Sequence, residues 1–131
     1  MSVKEEYPMR DLTQRIIAAA IEVHRELGPG YLEALYEEAL AREFVSSKIS
    51  FERQKQIYIR YKGEEIGKHR LDFLVEGKVV VEIKAVERFD EVHRAQVISY
   101  CKASGAPVGL LMNFNSPVLK DGIRRIVYSN L

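Results

Sequence analysis

Apolar residues return at helical spacing early in the chain. Ile16, Ala20, Val23 and Leu27 form one stripe, which Ile17 and Ile21 widen. Asp11-Leu12-Thr13-Gln14 has the form of a capping box, with Asp11 at the N-cap. Gly28-Pro29-Gly30 combines a C-cap glycine with a helix breaker and predicts the stop. A second helix is expected from about Leu32 to Val45, with Leu32, Leu35, Tyr36, Ala39, Leu40 and Phe44 as its apolar face. The period then changes to two. Ile57, Ile59 and Tyr61 alternate within 56–61, Lys62-Gly63 is a turn, and a strand continues through Ile66 to Val75. Glu76-Gly77-Lys78 is a second turn before the dense apolar strand 79–85. A helix over 92–104 ends before Gly105, the apolar strand 108–112 follows, and 123–128 can add an edge strand. Helix, helix, meander, helix, strand predicts an α/β domain with a mixed sheet of four to five strands, helices covering both faces. A right-handed crossover through the third helix would set strand 108–112 parallel to strand 79–85.

The alternation also sets a register. Matching Val75 to Val79, Phe73 to Val81 and Leu71 to Ile83 brings Asp72 opposite Glu82, with Lys84 on the face of Glu82. That register requires the three-residue loop Glu76-Gly77-Lys78; a two-residue loop would turn Asp72 to the other face. Opposed carboxylates repel, which raises a pKa or calls for a cation. An oxygen donor set with open positions suits Mg²⁺ or Mn²⁺. The alternative is a solvated cross-strand cluster with Lys84 paired to one acid.

Composition narrows the classes. The 131 residues fill one domain, with 1–10 expected as a loose arm and 11–131 as the folded unit. Lys and Arg number 20 against 19 Asp and Glu, so the net charge of +1 excludes binding to nucleic acid by a uniform basic field. The lone Cys101 excludes an internal disulfide and a multi-cysteine zinc site. No apolar run approaches a membrane span, and 1–10 has no signal-peptide core, so no membrane association and a cytoplasmic location are expected.

Asp72, nine residues, Glu82, one residue and Lys84 resemble the signature of the PD-(D/E)xK nuclease superfamily, without the literal proline before the aspartate. Gln96 and Tyr100, four apart on one helix face with His93, resemble its Q-x-x-x-Y element. Gly30, Glu33 and Tyr36, after Leu27-Gly28-Pro29, resemble the GxxExxY family within that superfamily. The likeness extends through Val23-His24, Tyr36-Glu37, Phe51-Glu52-Arg53-Gln54 and Lys120-Asp121-Gly122-Ile123.

The resemblance implies a restriction-endonuclease-like core and a metal-dependent nuclease acting on phosphodiester bonds, with DNA as the substrate. It implies Asp72, Glu82 and the Ile83 carbonyl as metal ligands, with Glu33 as the helix acid some members add. Lys84 would position the attacking water, and Gln96 and Tyr100 would support the nucleophile or a phosphate. Independently of the resemblance, Glu33 is also suited to complement the helix dipole, Tyr36 is core or a support for Glu33, and His24 is a packing residue. Basic residues around the meander, including Arg53, Lys55, Arg60, Lys62, Lys68, His69 and Arg70, line a phosphate groove or remain solvated. The alternative function is a catalytically inactive nuclease-fold module that binds nucleic acid or a protein partner. A third is a dimeric interaction domain with an accidental charge cluster. A homodimer through Ile17, Ile21, Tyr31 and Leu35 would double the footprint on a substrate.

Overall fold

A computed structural model describes residues 8–128; residues 1–7, most of the expected arm, and 129–131 lie outside the described residues. The elements are α1 (Arg10–Leu27), α2 (Glu33–Ser46), β1 (Phe51–Tyr61), β2 (Glu64–Val75), β3 (Val79–Lys84), α3 (Glu91–Ser104), β4 (Val108–Asn113), a 3₁₀ turn (Leu119–Gly122) and β5 (Ile123–Val127). The five strands lie in sequence order in one sheet. β3 and β4 are parallel and every other pair is antiparallel, so the α3 crossover does what its length requires.

The helices divide between the two faces. α1 and α2 pack Ile16, Ala20, Val23, Tyr36, Leu40 and Phe44 onto Phe73, Val75, Val81, Ile83, Leu110 and Met112. On the opposite face α3 packs Val97, Tyr100 and Cys101 onto Leu71, Leu74, Val80 and Leu111. β3 is therefore covered on both sides, which accounts for the run Val79-Val80-Val81. Gly109 lets α3 approach β4: a Cβ there would stand 2.4 Å from Val97 Cγ1.

Several local expectations change. α1 starts at Arg10 with Met9 as N-cap, so Asp11 lies in the first turn and does not form a capping box with Gln14. Met9 adopts a left-handed conformation and packs against the core. Leu32 and Leu35 are 78% and 51% exposed rather than on the buried face of α2. The stripe that reaches the sheet begins one turn later, at Tyr36. β1 starts at Phe51, five residues before its alternation is evident. Leu71 joins Leu74 in the α3-side core instead of following Phe73 and Val75. The alternation of β2 thus breaks at Asp72, where Gln54 on the facing strand takes a left-handed conformation, φ 52°. Among the described residues no helix is long and apolar enough to cross a membrane.

Candidate active site

The β2–β3 hairpin pairs Val75 with Val79 and Phe73 with Val81 across the loop Glu76-Gly77-Lys78, where both Glu76 and Gly77 are left-handed. Regular pairing stops there, so Leu71 does not face Ile83 in the ladder. Beyond it, side chains take over the bonding. The Asp72 backbone N–H donates to Glu82 Oε2 at 2.7 Å, and the Ile83 N–H donates to Asp72 Oδ2 at 2.8 Å. This reciprocal exchange holds the two carboxylates together at the carboxyl end of β3, beside its parallel neighbour β4.

Glu82 is the sole buried carboxylate among the described residues, 5% exposed. Burial, then the charge of Asp72, pushes it up to about 8. Burial also raises Asp72, opposed by the hydrogen bond from Ile83. Lys84 is half-buried, and its charge lowers both acids. No ion pair among the described residues joins Lys84 to either of them. Lys84 is therefore not paired with either acid, and the crowding of two carboxyl groups in a poorly solvated place favours the protonated form of Glu82.

Tyr100 comes into this field. Its hydroxyl is pushed up by burial first, then by Glu82 and Asp72, and so remains a proton donor. Its ring stacks on His69, centroids 4.4 Å apart. Gln96 is half-buried one turn earlier on α3, and its side chain forms no hydrogen bond among the described residues. His93 is committed to the helix end, where its Nδ1 accepts the Asp90 N–H in a capping box at the start of α3.

From α2, Glu33 is exposed and adds a weak field at Asp72. Glu37, one turn later, acts more strongly on Asp72 and also on Glu82. It is tied in by Gln54, whose Nε2 donates to Glu37 Oε1 at 2.8 Å and stands 3.5 Å from Asp72 Oδ1. Arg53 Nε holds the other Glu37 oxygen at 2.8 Å. In a regular strand, neighbouring side chains point to opposite faces; the left-handed Gln54 brings both toward Glu37. The i,i+4 spacing from Glu33 could have revealed Glu37, but no sequence pattern marks the kink at Gln54. Asn113 likewise carries no sequence signal. It is buried at the end of β4 and bonds both the N–H and the carbonyl of Val86, fixing the chain just beyond Lys84.

Two motif residues serve the core. Tyr36 is fully buried, stacks on Phe114, and donates its hydroxyl to the Gly28 carbonyl at 2.5 Å. His24 Nε2 lies 2.9 Å from the Ser116 carbonyl.

Among the described residues no three His, Cys, Asp or Glu side chains form a group able to hold a metal. Two carboxylates still fit a hard divalent ion, since Mg²⁺ usually takes one or two with its remaining positions on water and phosphate. The burial and mutual repulsion of Asp72 and Glu82 are what such an ion would relieve.

No curated protein matches the chain. A solved structure titled "Crystal structure of SSO0001" is similar at 20% identity and a TM-score of 0.49, over 98% of this chain. The chain spans 60% of the length of that structure. A family model described as the PD-(D/E)XK nuclease superfamily matches residues 10–126, from the start of α1 into β5. The chain belongs to the PD-(D/E)XK nuclease superfamily.

Proposed function

We propose that this chain is a divalent-metal-dependent nuclease that hydrolyses phosphodiester bonds in DNA, and that it belongs to the GxxExxY group of the superfamily. The observation that carries the reading is the mutually repelling pair of half-buried Asp72 and buried Glu82, beside a Lys84 that forms no ion pair among the described residues. Asp72, Glu82 and the Ile83 carbonyl would hold Mg²⁺ or Mn²⁺, with Glu33 the outlying α2 acid and Glu37 the nearer one. When bound, the ion supplies Lewis acidity and a lowered pKa for water. Lys84 orients the attacking water and offsets charge on the phosphate. The protonated Tyr100 hydroxyl and the Gln96 amide donate hydrogen bonds to a phosphate or to that water. The Asp72 and Ile83 N–H groups keep the carboxylates in place while the substrate binds.

Mn²⁺ titration by calorimetry tests the metal site. Millimolar or tighter binding is expected for the wild type and none for Asp72→Ala; equal heats from both would remove the site from this position.

The same reading includes a cytoplasmic protein acting as a homodimer. Ile21, Tyr31 and Leu35 form exposed apolar surface on α1, α2 and the loop between them, whereas Ile17 packs on the core. Sedimentation at micromolar concentration is expected to give a dimer. A species near the 15.1 kDa chain mass that still cleaves DNA would refute the dimer requirement.

A further inference from the structure

The helices leave part of one sheet face open, and that part is basic. α1 and α2 cover Phe73, Val75 and the strands beyond, and α2 meets β1 through Arg53 and Gln54. Past Asp72 the β1–β2 hairpin runs on without helical cover on this side among the described residues. Ile57, Ile59 and Leu71 face α3. Their neighbours Gln56, Tyr58, Lys68 and Arg70 therefore face the open side. The register sets Gln56 against Arg70 and Tyr58 against Lys68. Lys68 and Arg70 are exposed and form no ion pair among the described residues. The acids of the hairpin lie elsewhere: Glu64 and Glu65 at its tip, and Glu52 paired with Lys55. Arg70 stands two residues from Asp72, and Lys68 two further, a spacing of about 7 Å per step along the strand. Cations thus lead straight away from the carboxylates at a step comparable to that between successive phosphates of an extended strand.

An aromatic surface accompanies them. Tyr58 is 44% exposed, with its hydroxyl held by Gln56 Nε2 at 3.0 Å. A base can stack on such a ring only when it is not paired within a duplex.

From this arrangement we infer that the open face of the β1–β2 hairpin binds an unpaired DNA strand leading out of the carboxylate site. Lys68 and Arg70 hold successive phosphates, and Tyr58 stacks on a base. The inference rests on the nuclease reading and narrows its substrate to single-stranded or frayed DNA.

Fluorescence anisotropy of labelled single-stranded and blunt duplex DNA, measured in EDTA so that nothing is cleaved, tests it. The wild type should bind the single strand more tightly. Lys68→Ala/Arg70→Ala should weaken that binding by about tenfold or more and flatten its log–log salt slope by about 1.4, two phosphate contacts at about 0.7 each. Tyr58→Ala should weaken the single strand by about fivefold or more and leave the duplex unchanged. Lys120→Ala, exposed and remote from the hairpin in sequence, is expected to match the wild type, and melting curves establish that each variant is folded. Wild-type affinity and slope in the double variant would overturn the track. Tighter binding of duplex, with no effect of Tyr58→Ala, would overturn the unpaired strand while leaving a nuclease. A wild type that binds neither DNA would overturn the nuclease reading along with the inference.

Discussion

Replacing Glu82 by glutamine should remove most of the pH dependence of stability in the metal-free protein. Glu82 ordinarily titrates near 4.5 and is held at about 8 in the fold. Its folded pKa is thus raised above the unfolded one. Between those values the folded chain keeps a proton that the unfolded chain has released, so stability falls as pH rises through about 4.5 to 8. Each pH unit of displacement corresponds to about 1.4 kcal/mol, which sets a ceiling of roughly 5 kcal/mol for Glu82. Asp72 is raised in the same direction and adds to the slope. In Glu82→Gln the side-chain amide would keep an oxygen for the Asp72 N–H while carrying no charge. Urea denaturation in EDTA from about pH 5 to pH 8.5 is the assay. The wild type should lose on the order of 2 kcal/mol or more relative to Glu82→Gln as pH rises. Parallel pH profiles for the two proteins would refute the claim that Glu82 is held protonated by burial and Asp72.

Three further outcomes follow from the same geometry. Mg²⁺ should raise the melting temperature of the wild type near pH 8 and flatten its pH dependence, since binding to the folded state at 100-fold over Kd is worth about 2.7 kcal/mol; an equal rise in Glu82→Gln would place the ion elsewhere. Gly109→Ala should destabilise by about 1–3 kcal/mol in urea, because its Cβ collides with Val97 Cγ1 and must displace α3; unchanged stability would contradict the close approach of α3 to β4. Tyr36→Phe should cost about 1–2 kcal/mol by leaving the Gly28 carbonyl without its hydroxyl donor. That loss should appear without altering Mn²⁺ affinity, and a change in affinity instead of stability would give Tyr36 a role at the site.

Much of the fold was legible because hydrophobic patterning and turn chemistry agreed. The apolar residues of β2 and β3 align in one way only with a three-residue loop, and that register sets Asp72 near Glu82. The α3 crossover followed from the single apolar strand after Gly105. What stayed hidden depended on local irregularity or on which surfaces lacked a partner. A left-handed Gln54 has no hydrophobic signature, so neither the face change at Leu71 nor the link from Glu37 to Asp72 could be read. The first half of β1, with Glu52 to Gln56 all polar, shows no alternation because its outward positions bond α2 side chains rather than a core. Leu32 and Leu35 continue the apolar stripe of α2 beyond the sheet it could bury against, and sequence spacing does not reveal where the sheet ends. His93 shared a helix face with Gln96 and Tyr100, but its place at the start of α3 commits it to capping.

The most direct test of the account is cleavage by the purified chain with Mn²⁺ or Mg²⁺ of a panel comprising single-stranded, duplex and branched DNA and RNA, with Lys84→Ala as the matched control. Metal-dependent hydrolysis of DNA that EDTA abolishes is expected. Lys84→Ala should reduce it by on the order of a hundredfold or more while leaving the protein folded, as expected for loss of a charge that stabilises the transition state. Cleavage that persists in EDTA, or that is unchanged in Lys84→Ala, would contradict a metal-dependent site built on Asp72, Glu82 and Lys84.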